Sequence, residues 1–100
     1  MTHKVSITVN KNGKFSYVNP LIWVNQGDVI QWECTNNLDF AVHFGWDSPL
    51  DKGRYRASAG NKIIANVPED AKPGYYRYTV AVADGKNIWS DDPELIIRRP

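Results

Sequence analysis

The sequence has little of what binds metals or cross-links chains: one cysteine, one methionine and two histidines in 100 residues. With Cys34 alone, no disulfide can form within the chain, so its stability must come from packing. Cys34 lies in the alternating run Val29-Ile30-Gln31-Trp32-Glu33-Cys34, where its ordinary reading is a small, inert, partly buried thiol. No neighbouring base in the sequence marks it as reactive or metal-bound. No apolar run approaches membrane-spanning length, so no membrane partner is expected. Met1-Thr2-His3-Lys4 runs straight into a strand pattern without a secretory leader. As written, the product is expected in the cytoplasm, or exported if a leader has been trimmed away. Twelve Lys and Arg stand against eleven Asp and Glu, a net charge of +1. That balance provides neither the clustered basic surface that nucleic acids require nor a polybasic anchor or acidic tail. There is no phosphate-cradling glycine loop, no Gly-x-Ser-x-Gly elbow and no Cys–His pair, so an enzyme is not expected. No stretch holds a helical period, and there is no repeat, linker or low-complexity tract.

What is present is apolar and aromatic. Hydrophobic residues make up 42% of the chain, with tryptophans at 23, 32, 46 and 89. That is enough to pack one domain, residues 1–100, without disulfide or metal. Val5, Ile7 and Val9 alternate with polar residues, the mark of a strand with one buried face. Asn12-Gly13 and Asp84-Gly85-Lys86-Asn87 supply hairpin turns, and Asn19-Pro20 breaks the ladder. Further strands are expected at 15–18, 21–24, 29–34, 40–46, 62–67, 75–83 and 94–98, with 68–74 as a turn. Asp47 to Gly60 is a long polar connection with room for one short strand around Tyr55. Some eight short strands between Gly, Pro and Asn turns indicate an all-β, Greek-key sandwich.

Four segments, in order, resemble the cupredoxin (plastocyanin-like) family. Ile22-Trp23-Val24-Asn25-Gln26-Gly27-Asp28-Val29-Ile30-Gln31-Trp32 is similar to the family's I-x-V-x-x-G-D-x-V-x-W element. Asn36-Asn37 followed by Phe40 and His43 is similar to its Asn-rich turn and first histidine ligand. Pro73-Gly74-Tyr75-Tyr76-Arg77-Tyr78 resembles the lead-in to its cysteine strand, and Asp92-Pro93-Glu94-Leu95-Ile96-Ile97 its closing strand. The resemblance implies a cupredoxin-like sandwich in which Val80 stands at the thiolate position. Asp84-Gly85-Lys86 fills the loop of the second histidine, and the only methionine is Met1. Blue copper needs soft thiolate and imidazole together, so the resemblance implies a domain with no copper cofactor, His43 marking only a remnant ligand position. Gly74-x-Tyr76-x-Tyr78 also reads as a tyrosine-corner strand without its cysteine, so an immunoglobulin-like sandwich stays open as the alternative.

Candidate functional residues follow from chemistry. Lys52, Arg54 and Arg56 flank Tyr55 in the long connection, and Arg and Tyr favour binding hot spots. Trp46 and Trp89 border turns, where aromatics anchor partners or stack on sugars. Trp32 shares its strand face with Ile30 and Cys34 and belongs to the core. His3 could chelate copper with the terminal amine, an arrangement read as accidental. Asp84, Asp91, Asp92 and Glu94 match no calcium loop. The expectation is a binding module: a protein partner or homo-oligomer first, a glycan or small ligand at the rim aromatics second, weak metal handling through His43 or His3 third.

Overall fold

The computed structural model describes residues 1–99. Eleven strands and no helix are found among them. They are β1 (Thr2–Val9), β2 (Phe15–Val18), β3 (Leu21–Val24), β4 (Val29–Cys34), β5 (Asp39–His43) and β6 (Arg54–Ala57). The chain continues through β7 (Ile63–Asn66), β8 (Gly74–Arg77), β9 (Thr79–Asp84), β10 (Asn87–Asp91) and β11 (Glu94–Ile97).

One layer is the sheet β2-β1-β4-β7. The other is built from two sheets, β3-β11-β8 and β10-β9-β5-β6. The expected long strand 75–83 is in fact β8 and β9, parted only at Tyr78, where the chain leaves β11 for β5. The Tyr78 N–H donates to the Pro93 carbonyl at 3.0 Å, so its backbone stays paired across the switch. The expected strand 40–46 stops at His43, because Gly45 turns the chain at a φ of 87°. Two pairings are parallel, β1 with β4 and β3 with β11. An immunoglobulin-like sandwich is described by two antiparallel sheets, so these pairs count against that alternative.

Alternation explains the core. Val5, Ile7, Ile30, Trp32, Val42, Val80, Val82, Leu95 and Ile97 all point between the layers and are at most 2% exposed. Trp32 is wholly buried beside Tyr78, Tyr55 and Phe44, whose ring centroids lie 5.6, 6.1 and 6.2 Å from its own. Cys34 closes the same face and is buried.

The acidic set near the C-terminus is absorbed locally. The Tyr17 hydroxyl donates to Asp91 at 2.7 Å, Thr79 donates to Asp92 at 2.9 Å, and Glu94 lies 3.8 Å from Arg77. Asp28 is the one buried charged residue described. It accepts from the Asn25 N–H at 2.9 Å, His3 Nε2 at 2.7 Å and the Met1 amine at 3.4 Å, which pins β1 to the β3–β4 turn.

Candidate functional site

Strand registers decide which side chains can meet. Val42 on β5 stands directly opposite Val80 on β9, and both are fully buried in the sandwich. The next pair, His43 and Thr79, faces the other side of the sheet, and His43 is exposed. The side chain of His43 therefore does not converge on position 80, the thiolate position that the resemblance implies. Side chains alternate faces along a strand, and these two positions are out of phase. Cys34 belongs to the other layer. Among the described residues, no group of three or more His, Cys, Asp or Glu is arranged to hold a metal ion.

The sequence-predicted binding residues separate. Tyr55, expected on a loop surface, lies on β6 and is 9% exposed. Its ring packs on Trp32, its hydroxyl donates to Asp51, and it accepts from the Lys52 N–H. Burial and the bond to Asp51 push its phenol well above the ordinary range. Arg54 and Arg56 flank it on β6 and point outward, so strand alternation splits the cluster. Lys52 is exposed in the preceding turn. Trp89 is half-buried on β10, its ring so close over Gly13 that a Cβ there would lie 2.2 Å from it.

Trp46 is fully exposed at the start of the long connection. It borders two depressions. One, about 410 Å³, is lined by His43, Gly45, Trp46, Gly53 and Arg54. The other, about 890 Å³ and more open, runs between the 46–50 and 68–76 segments, with Trp46, Tyr75 and Tyr76 among Asp47, Asp70 and Lys72.

A second surface went unmarked in the sequence. On the outer side of β3-β11-β8, Ile96 is in register with Trp23 on one neighbour and Tyr75 on the other. Trp23 is 49% and Tyr75 57% exposed, with Ile96 half-buried between them, so an aromatic–aliphatic–aromatic row crosses three strands on the outer face. Leu21, Glu94 and Arg77 form the next row, and the Arg98 guanidinium lies 5.4 Å above the Trp23 ring. Alternation along each strand shows which side chains point outward. Only the pairing of strands far apart in sequence joins them into a row.

No protein-family model and no curated protein matches the sequence. Solved structures do match. Pseudoazurin from Hyphomicrobium denitrificans aligns with all of this chain and 77% of its own at a TM-score of 0.62 and 13% identity. Pseudoazurin from Methylobacterium extorquens gives 0.65 at 13% identity, with the same coverage. A purple cupredoxin from Nitrosopumilus maritimus gives 0.63 at 9% identity, covering 96% of this chain and 99% of its own. The fold is thus a cupredoxin-like β-sandwich; identities this low speak to the fold alone.

Proposed function

We propose that this cupredoxin-like domain is a copper-free binding module that associates with a second copy of itself through the outer face of β3-β11-β8. The observation that carries the reading is the outer-face row Trp23–Ile96–Tyr75, in which the two aromatics are exposed on either side of half-buried Ile96. A contiguous apolar patch rimmed by charges is the ordinary signature of an interaction surface.

The charges beside the row favour a second copy as the occupant. Glu94, Ile96 and Arg98 follow one another at alternate positions, so both charges share the outer face with Ile96 at the midpoint. A two-fold axis through Ile96, lying between the stacked sheets and across the strands, reverses the strand direction. It sets Glu94 against Arg98 of the partner subunit, and the converse, with the apolar rows in contact. A two-fold interface must be self-complementary in this way. Concentration-dependent light scattering tests it. The average mass should rise toward twice 11.4 kDa, and Trp23→Asp should hold it at the monomer value. A mass that stays monomeric at the highest attainable concentration overturns the reading.

The copper chemistry of the fold does not fit these residues. A thiolate position filled by buried Val80, opposite Val42, offers no soft donor, and His43 points out of the sheet.

A second reading rests on the wider groove. Trp46, Tyr75 and Tyr76 present aromatic surface among Asp47, Asp70 and Lys72, a mixture that suits a sugar chain. Tryptophan fluorescence titrated with neutral oligosaccharides tests it; an unchanged spectrum rules that reading out.

A further inference from the structure

We infer that the smaller depression beside Trp46 is a binding site for a small ring-bearing oxyanion, a carboxylate or phosphate carried on a sugar or nucleoside. It lies at the β5–β6 end of the β10-β9-β5-β6 sheet and shares no lining residue with the row Trp23–Ile96–Tyr75.

The hollow has a structural cause. The Phe44 and Gly45 N–H groups both donate to the Gly53 carbonyl, at 2.8 and 3.4 Å, which closes the base of the 44–53 segment between β5 and β6. A Cβ on Gly53 would lie 2.6 Å from the Gly45 carbonyl oxygen, and Gly45 itself holds a φ of 87°. Two glycines thus meet in close backbone contact beside the hollow: a side chain at Gly53 would clash, and one at Gly45 would be strained by its φ. The walls are His43, Arg54 and Trp46. A hollow of about 410 Å³ falls within the range that takes one small molecule, roughly 300–1,000 Å³.

The walls define the ligand. His43 and Arg54 are directly opposite each other on β5 and β6, so their side chains emerge side by side on one face. Arg56 stands on the same face, two residues along β6. Neither arginine forms a salt bridge among the described residues. A guanidinium with open N–H groups is a two-pronged donor to a carboxylate or phosphate, and the imidazole beside it adds a further donor. Trp46 is completely exposed and has a free ring face. An exposed tryptophan next to unpaired cationic donors selects a ligand that carries a flat or apolar ring beside its negative group.

The test is a titration followed by amide and indole NMR shifts of the intact protein. The probes are glucuronate, glucose 6-phosphate, adenosine monophosphate and, as the neutral control, glucose. At least one of the three anions should move the Gly45, Gly53 and Trp46 resonances with a Kd of roughly 1 mM or tighter, and glucose should not. Which anion binds identifies the source of the oxyanion. Arg54→Gln should weaken binding about tenfold or more, the loss of one charge-assisted pair. Trp46→Ala should weaken the ring-bearing ligand more than inorganic phosphate. Lys86→Gln, in the turn at the other end of β9, should change nothing. Both recess side chains are exposed, so unchanged melting temperatures will show that the variants fold. The inference fails if no anion shifts these resonances, if glucose binds as well as the anions, or if Arg54→Gln leaves the affinity intact.

Discussion

Trp32 and Tyr78 join the two layers of the sandwich: the indole Nε1–H donates to the Tyr78 hydroxyl at 3.2 Å, and the rings meet edge to face. Trp32 is fully buried on β4, and Tyr78 is 1% exposed at the point where the chain passes from one sheet to the next. The bond satisfies a buried donor that would otherwise lack a partner, and it fixes the switch point to the opposite layer.

Truncating this pair should be costly. Trp32→Ala is expected to lose about 3–5 kcal/mol, the usual range for a buried large aromatic. Tyr78→Phe keeps the ring but strands the indole N–H, for a loss of about 1–3 kcal/mol. Urea denaturation of both variants measures this. A loss under about 1 kcal/mol for Trp32→Ala is the surface value and would contradict the packing described.

Tyrosines set an alkaline limit. Burial pushes the Tyr78 phenol from 10.0 up to about 12, more than the indole bond lowers it. The folded value lies above the unfolded one, so the contribution to stability is complete below pH 10.0 and is lost as pH rises toward about 12. Tyr17 and Tyr55 are raised in the same direction, by burial and by their bonds to Asp91 and Asp51. Melting temperature should fall steeply above pH 10.0, and Tyr78→Phe should make the fall shallower. An unchanged slope in that variant would contradict the assignment.

Asp28 sets an acid limit. Burial alone would raise its carboxyl, but the bonds from the Asn25 N–H, His3 and the Met1 amine outweigh that and hold it below 3.8. A depressed folded value gives stability that is present above pH 3.8 and is lost as pH falls through the folded value. Asp28→Asn should flatten the loss of stability in that range. A variant as acid-sensitive as the parent would show that the carboxylate is not the group responsible.

The strands and the core could be read from alternation, because a period of two puts Trp32, Ile30 and Cys34 on one face whatever lies opposite. The fate of Tyr55 could not. Its neighbours Lys52, Arg54 and Arg56 gave the segment the composition of a solvated loop, yet β6 pairs with β5 and turns the tyrosine inward onto Trp32. Tyr55→Ala should therefore cost about 3–5 kcal/mol rather than nothing. The row Trp23–Ile96–Tyr75 was out of reach for another reason: β3 lies some fifty residues before β8 and further still before β11, and only the pairing with β11 aligns the three. The same holds for His43, whose family-like spacing suggested a ligand position, whereas the register with Thr79 sends it out of the sheet.

Copper gives a further check. Cu(II) added to the protein should produce no intense blue charge-transfer band, and neither should Val80→Cys alone. A thiolate at 80 would face Val42 inside the sandwich, with His43 on the opposite side. A strong blue band from either protein would contradict the register.

Sedimentation equilibrium with exchanged charges tests self-association most directly. Glu94→Arg and Arg98→Glu each place like charges together across the proposed two-fold axis, and each should hold the protein as a monomer. The double exchange restores opposite charges and should restore the dimer, with at least a tenfold recovery in affinity, about 1.4 kcal/mol. If the wild type shows no dimer, or if both single variants dimerise as tightly as the wild type, the outer face of β3-β11-β8 is not the interface.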